Sequence, residues 1–110
     1  MLLLDFMFVR CGPCRAMLPK LTALHDRYAA KGLLVLSVAP SWGGRGLLGL
    51  IEEGHFKHAF AELSEGDEKR WEVSAYPTVF LVDKKGIVRA SYVGEEPDVT
   101  LLEKLLEEEP

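Results

Sequence analysis

Cys11-Gly12-Pro13-Cys14 contains both cysteines of the chain, three positions apart, between an apolar run and a helical pattern. Two thiols at this spacing can close a small ring, so the segment can hold two electrons as a disulfide or release them as two thiols. A C-x-x-C pair at a strand-to-helix junction within a strand-helix-strand pattern is a strong redox signal. The motif therefore predicts dithiol-disulfide chemistry, with chance pairing or metal binding aided by outside ligands as the alternative.

The size and composition are those of an ordinary soluble globular domain. The 110 residues predict one domain, spanning 1–110, with a single core. Hydrophobic residues make up 48% of the chain and charged residues 27%, which is typical of this class. A net charge of -4 offers no basic surface for nucleic acid or anionic lipid, so we exclude both as partners.

The cysteine count and the apolar start exclude two further classes of protein. Two cysteines are too few for a disulfide-stapled scaffold or for a four-cysteine zinc site. The run from Met1 to Val9 has no basic segment or cleavage site and is too short to span a bilayer, so no membrane segment is expected. The chain as written is cytoplasmic, and a mature or trimmed form of an exported protein would be extracytoplasmic.

The elements that flank the cysteine motif predict a parallel crossover. Leu2 to Val9 is a continuous apolar run, typical of a strand that is buried on both faces. A helix is predicted from about Pro13 to Lys31, ended by Gly32, and a second buried strand from Leu33 to Val38. Strand, helix and strand at this spacing form a right-handed parallel unit.

The second half of the chain predicts a hairpin between helices. A short helix near residues 45–54 precedes a weak edge-strand pattern at 57–62 and one or two helical turns at 66–72. Strands at Thr78 to Val82 and Ile87 to Val93 form an antiparallel hairpin, and Asp98 is a candidate N-cap for a last helix. We therefore predict an α/β fold with a mixed sheet of four main strands in the order 2-1-3-4. The first and last helices would share one face, and the helix near residues 45–54 would cover the other.

The two cysteines are predicted to have different roles. The helix after Cys14 points its unpaired N–H groups and its positive dipole end at Cys11, which stabilises a thiolate there. Arg10 and Arg15 add positive charge nearby, and such surroundings lower the pKa of a thiol. We expect Cys11 to be the exposed attacking thiol and Cys14 the resolving thiol, while Pro13 stiffens the segment between them.

Asp5 is an acid within the run of apolar residues on the predicted central strand. A buried carboxylate without a partner is costly, so we expect burial to raise the pKa of Asp5. The strand could bring this carboxyl beneath the cysteine turn, where it would accept the proton of Cys14, directly or through a water, as a general base. The alternative is a side chain that faces solvent at a sheet edge.

Tyr76-Pro77-Thr78 begins the third predicted strand. Proline at a strand start removes a donor from the ladder and can adopt the cis form at small cost. From these residues alone, both a cis bond and an ordinary trans strand-entry proline are possible.

Together these segments resemble the thioredoxin-like superfamily, and their spacing is most similar to its TlpA-like and ResA-like thiol-disulfide oxidoreductases. The resemblance covers nearly the whole chain, through the segments Asp5-Phe6, Cys11 to Arg15, Pro19, Tyr76 to Thr78 and Asp83 to Gly86. It implies a thioredoxin-like fold in which Pro77 is cis and lies against the cysteine pair.

The resemblance also implies how the site residues are used. It assigns Cys11 as nucleophile, Cys14 as resolving thiol and Asp5 as buried acid. The backbone next to Pro77 would pair with a bound substrate strand, in a groove formed by Arg10, Gly12, Pro13, Tyr76 and Pro77.

Three features depart from the family pattern. Arg10 stands where the family usually has Trp, which changes the rim of the groove, and the usual N-terminal strand or hairpin before the Asp5 strand is absent. The glycine-rich stretch Ser41 to Gly46 is predicted to be a plain loop before a helix, with a mobile rim beside the active site as the alternative.

The predicted function is exchange of the Cys11–Cys14 dithiol or disulfide with protein disulfides, as a reductant, because the Gly-Pro dipeptide resembles that of reducing family members. Its partners would be protein disulfide or dithiol substrates and a redox protein that recharges it, and the chain would act as a monomer without a cofactor. The alternative is a metal-handling or non-catalytic binding module. No metal site is expected, since none of the three histidines is near the cysteines in sequence.

Overall fold

The computed structural model describes residues 1–110 and contains one mixed β-sheet. Its five strands have the spatial order β3-β2-β1-β4-β5. They are β1 (Leu2–Phe6), β2 (Leu34–Ala39), β3 (Ala59–Glu62), β4 (Thr78–Val82) and β5 (Val88–Val93). The prediction of four strands is therefore wrong, because the weak pattern before residue 62 forms a full edge strand, parallel to β2. The other four strands have the predicted order.

Four helices connect and cover these strands. They are α1 (Gly12–Tyr28), α2 (Leu47–Gly54), α3 (Asp67–Arg70) and α4 (Val99–Glu107), with short 3-10 turns at Ala29–Lys31 and Ser41–Gly43. None of the helices combines the length and the apolar character that a bilayer crossing requires.

β1 is the central strand, and it ends three residues earlier than predicted, at Phe6. It runs parallel to β2, with Asp5 opposite Ser37, and antiparallel to β4, with Phe6 opposite Thr78. Beyond β1 the chain leaves the ladder but stays hydrogen-bonded, since the Met7 N–H donates to the Val38 carbonyl at 3.0 Å. The residues up to Cys11 are needed to turn the chain from the sheet into α1.

α1 lies against the sheet through a row of buried side chains at helical spacing. Cys14, Met17, Leu18 and Leu21 are buried on this face, as expected for an amphipathic helix over a core. Gly32 has a φ of 100°, a left-handed conformation that glycine adopts readily. This glycine ends the last turn and allows the chain to enter β2.

α2 lies on the same face of the sheet as α1, and the expectation that it covers the opposite face is wrong. Its buried residue Leu50 belongs to one cluster with Leu18 of α1 and Leu105 of α4. The reason is the added strand: β1 to β2 and β2 to β3 step in the same direction across the sheet. Right-handed crossovers in one direction place both helices on one face.

The opposite face of the sheet is covered by the segment that contains and follows α3. Leu4, Phe6, Val38 and Val73 form a second buried cluster there. The ring of Trp71 lies over it, with its centroid 5.8 Å from that of Phe6. Both faces of β1 are therefore covered, which accounts for its uninterrupted apolar sequence.

Candidate active site

The two cysteines form a disulfide bond where the chain enters α1. Cys11 is the N-cap of the helix, and its Sγ accepts the backbone N–H of Cys14 at 3.2 Å. Cys14 is 1% exposed and Cys11 6% exposed, so the expectation of an exposed Cys11 holds only relative to Cys14. Next to Cys11, Gly12 and Pro13 are exposed and form the surface over the disulfide.

The start of α1 provides a positive electrostatic setting for these sulfurs. Its first turn contains no acidic residue, so no carboxylate of that turn offsets the positive end of the helix dipole. Arg10 and Arg15 are exposed on either side of the cysteine pair. This setting stabilises negative charge at the position of Cys11 Sγ.

Tyr76 and Pro77 lie beside the disulfide, as the resemblance implies. The peptide bond between them is cis, and Cys11 Sγ lies 3.9 Å from the Tyr76 carbonyl oxygen. The hydroxyl of Thr78 donates to the Ala75 carbonyl at 2.7 Å. This hydrogen bond bridges the two residues between Ala75 and β4 and fixes the approach of the chain to the sulfurs.

Asp5 is buried on the face of β1 that carries α1, because its neighbours Leu3 and Met7 belong to the cluster that contains both cysteines. It is 1% exposed. Burial raises the pKa of Asp5 from 3.8 to about 7, although a hydrogen bond from Ser37 opposes the shift. Its Oδ1 atom has no hydrogen-bond partner. The prediction of a buried acid with a raised pKa is confirmed.

A chain of three further polar side chains, which the sequence analysis missed, leads away from Asp5. Ser37 Oγ donates to Asp5 Oδ2 at 2.7 Å and lies 2.9 Å from His58 Nε2. His58 Nδ1 lies 2.7 Å from the Thr22 hydroxyl, which accepts the Lys57 backbone N–H at 3.0 Å. We call Asp5, Ser37, His58 and Thr22 the polar chain.

The polar chain crosses from the sheet to α1, and its middle is buried. Ser37 is 0% and His58 5% exposed. Burial, together with the charge of His25, lowers the pKa of His58 from 6.5 to about 4, so the ring is neutral at pH 7. One signal could have indicated this chain: Ser37 is a polar residue within a buried apolar strand, as Asp5 is in the strand beside it.

An aromatic and basic surface forms one rim of the site. A cavity of about 220 Å³ is lined by Phe8, Val9, Arg10, Trp42, Gly43 and Arg45. The rings of Phe8 and Trp42 have centroids 5.4 Å apart, and each contacts the ring of Tyr76 edge-on. The glycine-rich stretch is a loop before α2, as predicted, and its Trp42 and Gly43 also line this rim next to Arg10.

Gly43 allows this close approach of the loop. A Cβ atom at Gly43 would lie 2.5 Å from the Cβ of Phe8. Its carbonyl accepts the Val9 N–H at 2.9 Å, which fastens the loop to the residues just before Cys11. No three His, Cys, Asp or Glu side chains lie close enough together to share a metal ion.

Comparison with known proteins agrees with this geometry, although no family model matches the chain. The thiol-disulfide oxidoreductase ResA of Bacillus thuringiensis subsp. konkukian is 28% identical over 104 residues, which is 93% of the chain. The structure of a candidate DsbE-type thiol:disulfide interchange protein from Chlorobium tepidum is 29% identical, with a TM-score of 0.81. That match covers 96% of this chain and 76% of the other. The chain has a thioredoxin-like fold with a C-x-x-C disulfide and is similar to the TlpA-, ResA- and DsbE-like thiol-disulfide oxidoreductases.

The match does not cover the full length of the curated relatives. The chain spans 60% of the length of the curated ResA relatives. A thiol-disulfide isomerase from Corynebacterium glutamicum has a TM-score of 0.84 over 98% of this chain and 81% of its own. At 21% identity it shows the shared thioredoxin-like fold alone. The Cys11–Cys14 disulfide is the feature of this chain that corresponds to the activity named for these relatives.

Proposed function

We propose that the chain exchanges its Cys11–Cys14 pair with the disulfides of protein substrates and works as a reductant. The observation that carries this proposal is the disulfide itself, closed between the N-cap and the first turn of α1 beside Tyr76 and Pro77. The position supplies what thiol-disulfide exchange needs: a favoured thiolate, a second thiol within reach and room for an incoming sulfur.

The reaction we propose has two exchange steps. The Cys11 thiolate attacks one sulfur of a substrate disulfide, which forms a mixed disulfide and releases the other substrate sulfur as a thiolate. Cys14 then loses its proton and attacks Cys11 Sγ, so that the Cys11–Cys14 bond closes and the second substrate thiolate leaves. The substrate gains two electrons and the chain loses two. A dithiol partner protein returns them by the same steps in reverse.

Asp5 is the base we assign to the second step. Its pKa of about 7 makes it half ionised near neutral pH, so it can both take the proton of Cys14 and release it again. The unpartnered Oδ1 is the oxygen available for that proton. A carboxylate with an ordinary pKa would be a much weaker base at the same place.

The substrate groove we propose follows the exposed side of the disulfide. An extended substrate segment would pair with the backbone at Tyr76, next to Pro77, and cross the surface of Gly12 and Pro13. Arg10 forms the rim, where its guanidinium favours substrates with acidic side chains near the reacting sulfur.

Trapping of the mixed disulfide tests the proposal. With reduced Cys14→Ser protein, the mixed disulfide through Cys11 cannot be resolved, so we expect it to accumulate with native, disulfide-bonded insulin as substrate. Cys11→Ser is the matched control and should trap none. Trapping is read as a mass increase that a reducing agent reverses. If no adduct forms and the wild-type protein fails to reduce insulin, the proposal is wrong.

The reduction potential of the Cys11–Cys14 couple tests the proposed direction of electron flow. A reduction potential of the Cys11–Cys14 couple near the value of about -270 mV found for thioredoxin supports a reductant. A potential near about -120 mV would contradict the direction we propose while leaving the exchange chemistry intact.

A further inference from the structure

The polar chain ends in a pure donor on one side and, when Asp5 is ionised, in a pure acceptor on the other. The Lys57 backbone N–H can only donate, to Thr22, and an ionised carboxylate can only accept. Between these ends, Thr22, His58 and Ser37 each have both a donor and an acceptor. When Asp5 is ionised, one arrangement of hydrogens gives every link of the polar chain one donor and one acceptor: each hydrogen bond points from α1 towards Asp5 Oδ2.

This arrangement requires one tautomer of His58. Thr22 donates to Nδ1, so Nδ1 has no proton, and Nε2–H donates to Ser37. Ser37 then directs its own hydroxyl hydrogen to Asp5 Oδ2. With the opposite tautomer, Ser37 would donate to His58, and Oδ2 would keep a partner only if Asp5 itself carried a proton. The tautomer of His58 and the charge of Asp5 are therefore coupled.

The surroundings keep His58 in this neutral form. The ring is buried and packs against the aromatic rings of Phe60 and Phe56. His25, on α1, is the titratable group whose positive charge opposes protonation of His58. On β2, the side chain that faces Asp5 is the uncharged Ser37. The charge state of the polar chain therefore changes at Asp5 before it changes at His58 as the pH falls.

We propose that His58 is a positioning residue for the proton transfer at Asp5. As the Nε2–H tautomer it orients Ser37, which holds Asp5 Oδ2 and leaves Oδ1 to receive the proton of Cys14. This rests on the proposed function, in which Asp5 is the base for the resolving step. The polar chain raises the share of ionised Asp5, the form that can act as a base, although the carboxyl is buried.

The kinetic test compares pH profiles of the single-turnover release of insulin thiols by the reduced protein. Ser37→Ala and His58→Leu remove a donor from the polar chain and should move the acidic limb upward by about one pH unit. On that limb the rate then falls about tenfold, with little change near pH 8.5. His58→Gln places an amide N–H near the position of Nε2–H and should restore the profile to within about twofold of wild type. Ser91→Ala, a matched serine on the edge strand β5, should have no effect.

The Asp5→Asn background separates positioning from a general structural role. If His58 and Ser37 act through Asp5, Ser37→Ala should cause no further shift of the profile in that background. The same tenfold loss there would overturn the proposal, and so would His58→Gln behaving like His58→Leu. A wild-type protein that releases no insulin thiols would instead contradict the proposed function.

Nitrogen-15 NMR of the histidine rings tests the polar chain without any assay of activity. In the reduced wild-type protein at pH 8, we expect His58 to be neutral, with the proton on Nε2. As Asp5 takes up a proton near pH 7, its ring shifts should change although the ring stays neutral. A proton on Nδ1 at pH 8, or ring shifts that do not change between pH 8 and pH 6, would overturn the inference.

Discussion

Asp5 and His58 are buried ionisable residues whose pKa values move in opposite directions. Burial raises the pKa of Asp5 from 3.8 to about 7, a shift that corresponds to about 4 kcal/mol against its ionised form. Burial lowers the pKa of His58 to about 4. Both shifts favour the neutral form of the buried group, but their effects on the pH dependence of folding have opposite signs.

The signs follow from which state binds the proton more tightly. Folded Asp5 binds its proton more tightly than the unfolded chain does, so its contribution to the free energy of unfolding decreases as the pH rises from about 4 to about 7. Folded His58 binds its proton less tightly, so its contribution is present above about pH 6.5 and is lost as the pH falls towards 4. Between these limits the two contributions oppose each other.

Variants that remove one of the two groups should expose the contribution of the other. We expect the free energy of unfolding of Asp5→Asn, measured in urea relative to wild type, to gain a rise between pH 4 and pH 7. His58→Gln should gain a fall between pH 4 and pH 6.5, because the opposing histidine contribution is gone. Changes of the same sign in both variants would contradict the assignment of these pKa shifts.

The sequence predicts the burial of a single residue better than it predicts the contact between two residues. An acid among Leu, Phe and Met suffices to predict that Asp5 is buried and that its pKa is raised. His58 lies 21 positions after Ser37, and only the pairing of β3 with β2 brings the two side chains together. The sequence indicates this edge strand only weakly and does not specify its pairing with β2, so it does not predict the polar chain.

The elements differ in how well local sequence defines them. β4 was predicted to the residue, because Thr78–Val82 is an apolar run between a proline and a turn. For β3 the weak alternation at 57–62 predicts only a possible short edge strand outside the four main strands. In the structure no residue of β3 is fully buried. Such a strand forms because β2 offers an unpaired edge, which is a property of the folded sheet and not of the segment.

The N-cap of α4 is a local signal that the structure confirms, and it can be tested at the level of the element. Asp98 Oδ1 accepts the N–H groups of Thr100 at 2.9 Å and Leu101 at 3.3 Å. Asp98→Ala should lower the free energy of unfolding by about 1 kcal/mol, because these N–H groups lose their acceptor. Asp98→Ser keeps an acceptor and should remain within a few tenths of a kcal/mol.

Denaturant unfolding measures this effect, and insulin reduction provides the control. α4 contributes Leu102, Leu105 and Leu106 to the core but no residue of the candidate active site, so the rate of insulin reduction should be unchanged by either substitution. An Asp98→Ala protein as stable as wild type would show that the cap contributes nothing to the helix.

The charge of the whole molecule is unevenly distributed. The chain has a net charge of -4, yet Arg10 and Arg45 line the cavity at the cysteine end of the sheet, and Arg15 is exposed in the first turn of α1. β4 begins beside the cysteines, at Thr78, and its other end leads into the turn at residues 83–86, far from the active site. A group of positive charges of this kind attracts negatively charged partners to the surface that carries it.

We therefore expect substrate charge to affect the rate of exchange. A disulfide-containing peptide with acidic flanking residues should be reduced about tenfold faster than a basic peptide of equal length at low salt. The difference should vanish in about 1 M salt, where the Debye length is about 3 Å. Arg10→Glu should remove most of this preference. Lys85→Glu, the same charge change in the distant turn, should not, and an equal effect of both would mean that net charge alone matters.

The sulfur of Cys11 is both a structural cap of α1 and, in the proposed cycle, the reacting atom. It accepts the Cys14 N–H as the cap of the longest helix, and in the proposed cycle it is also the atom that each electron pair passes through. Any change in its charge or its bonding partner is thus also a change in how α1 begins. We therefore expect the dithiol and the disulfide forms to differ in backbone conformation at the start of α1, where the proposed partners would bind. A redox partner would then distinguish the two forms by the geometry of this turn as well as by the chemistry of the sulfurs.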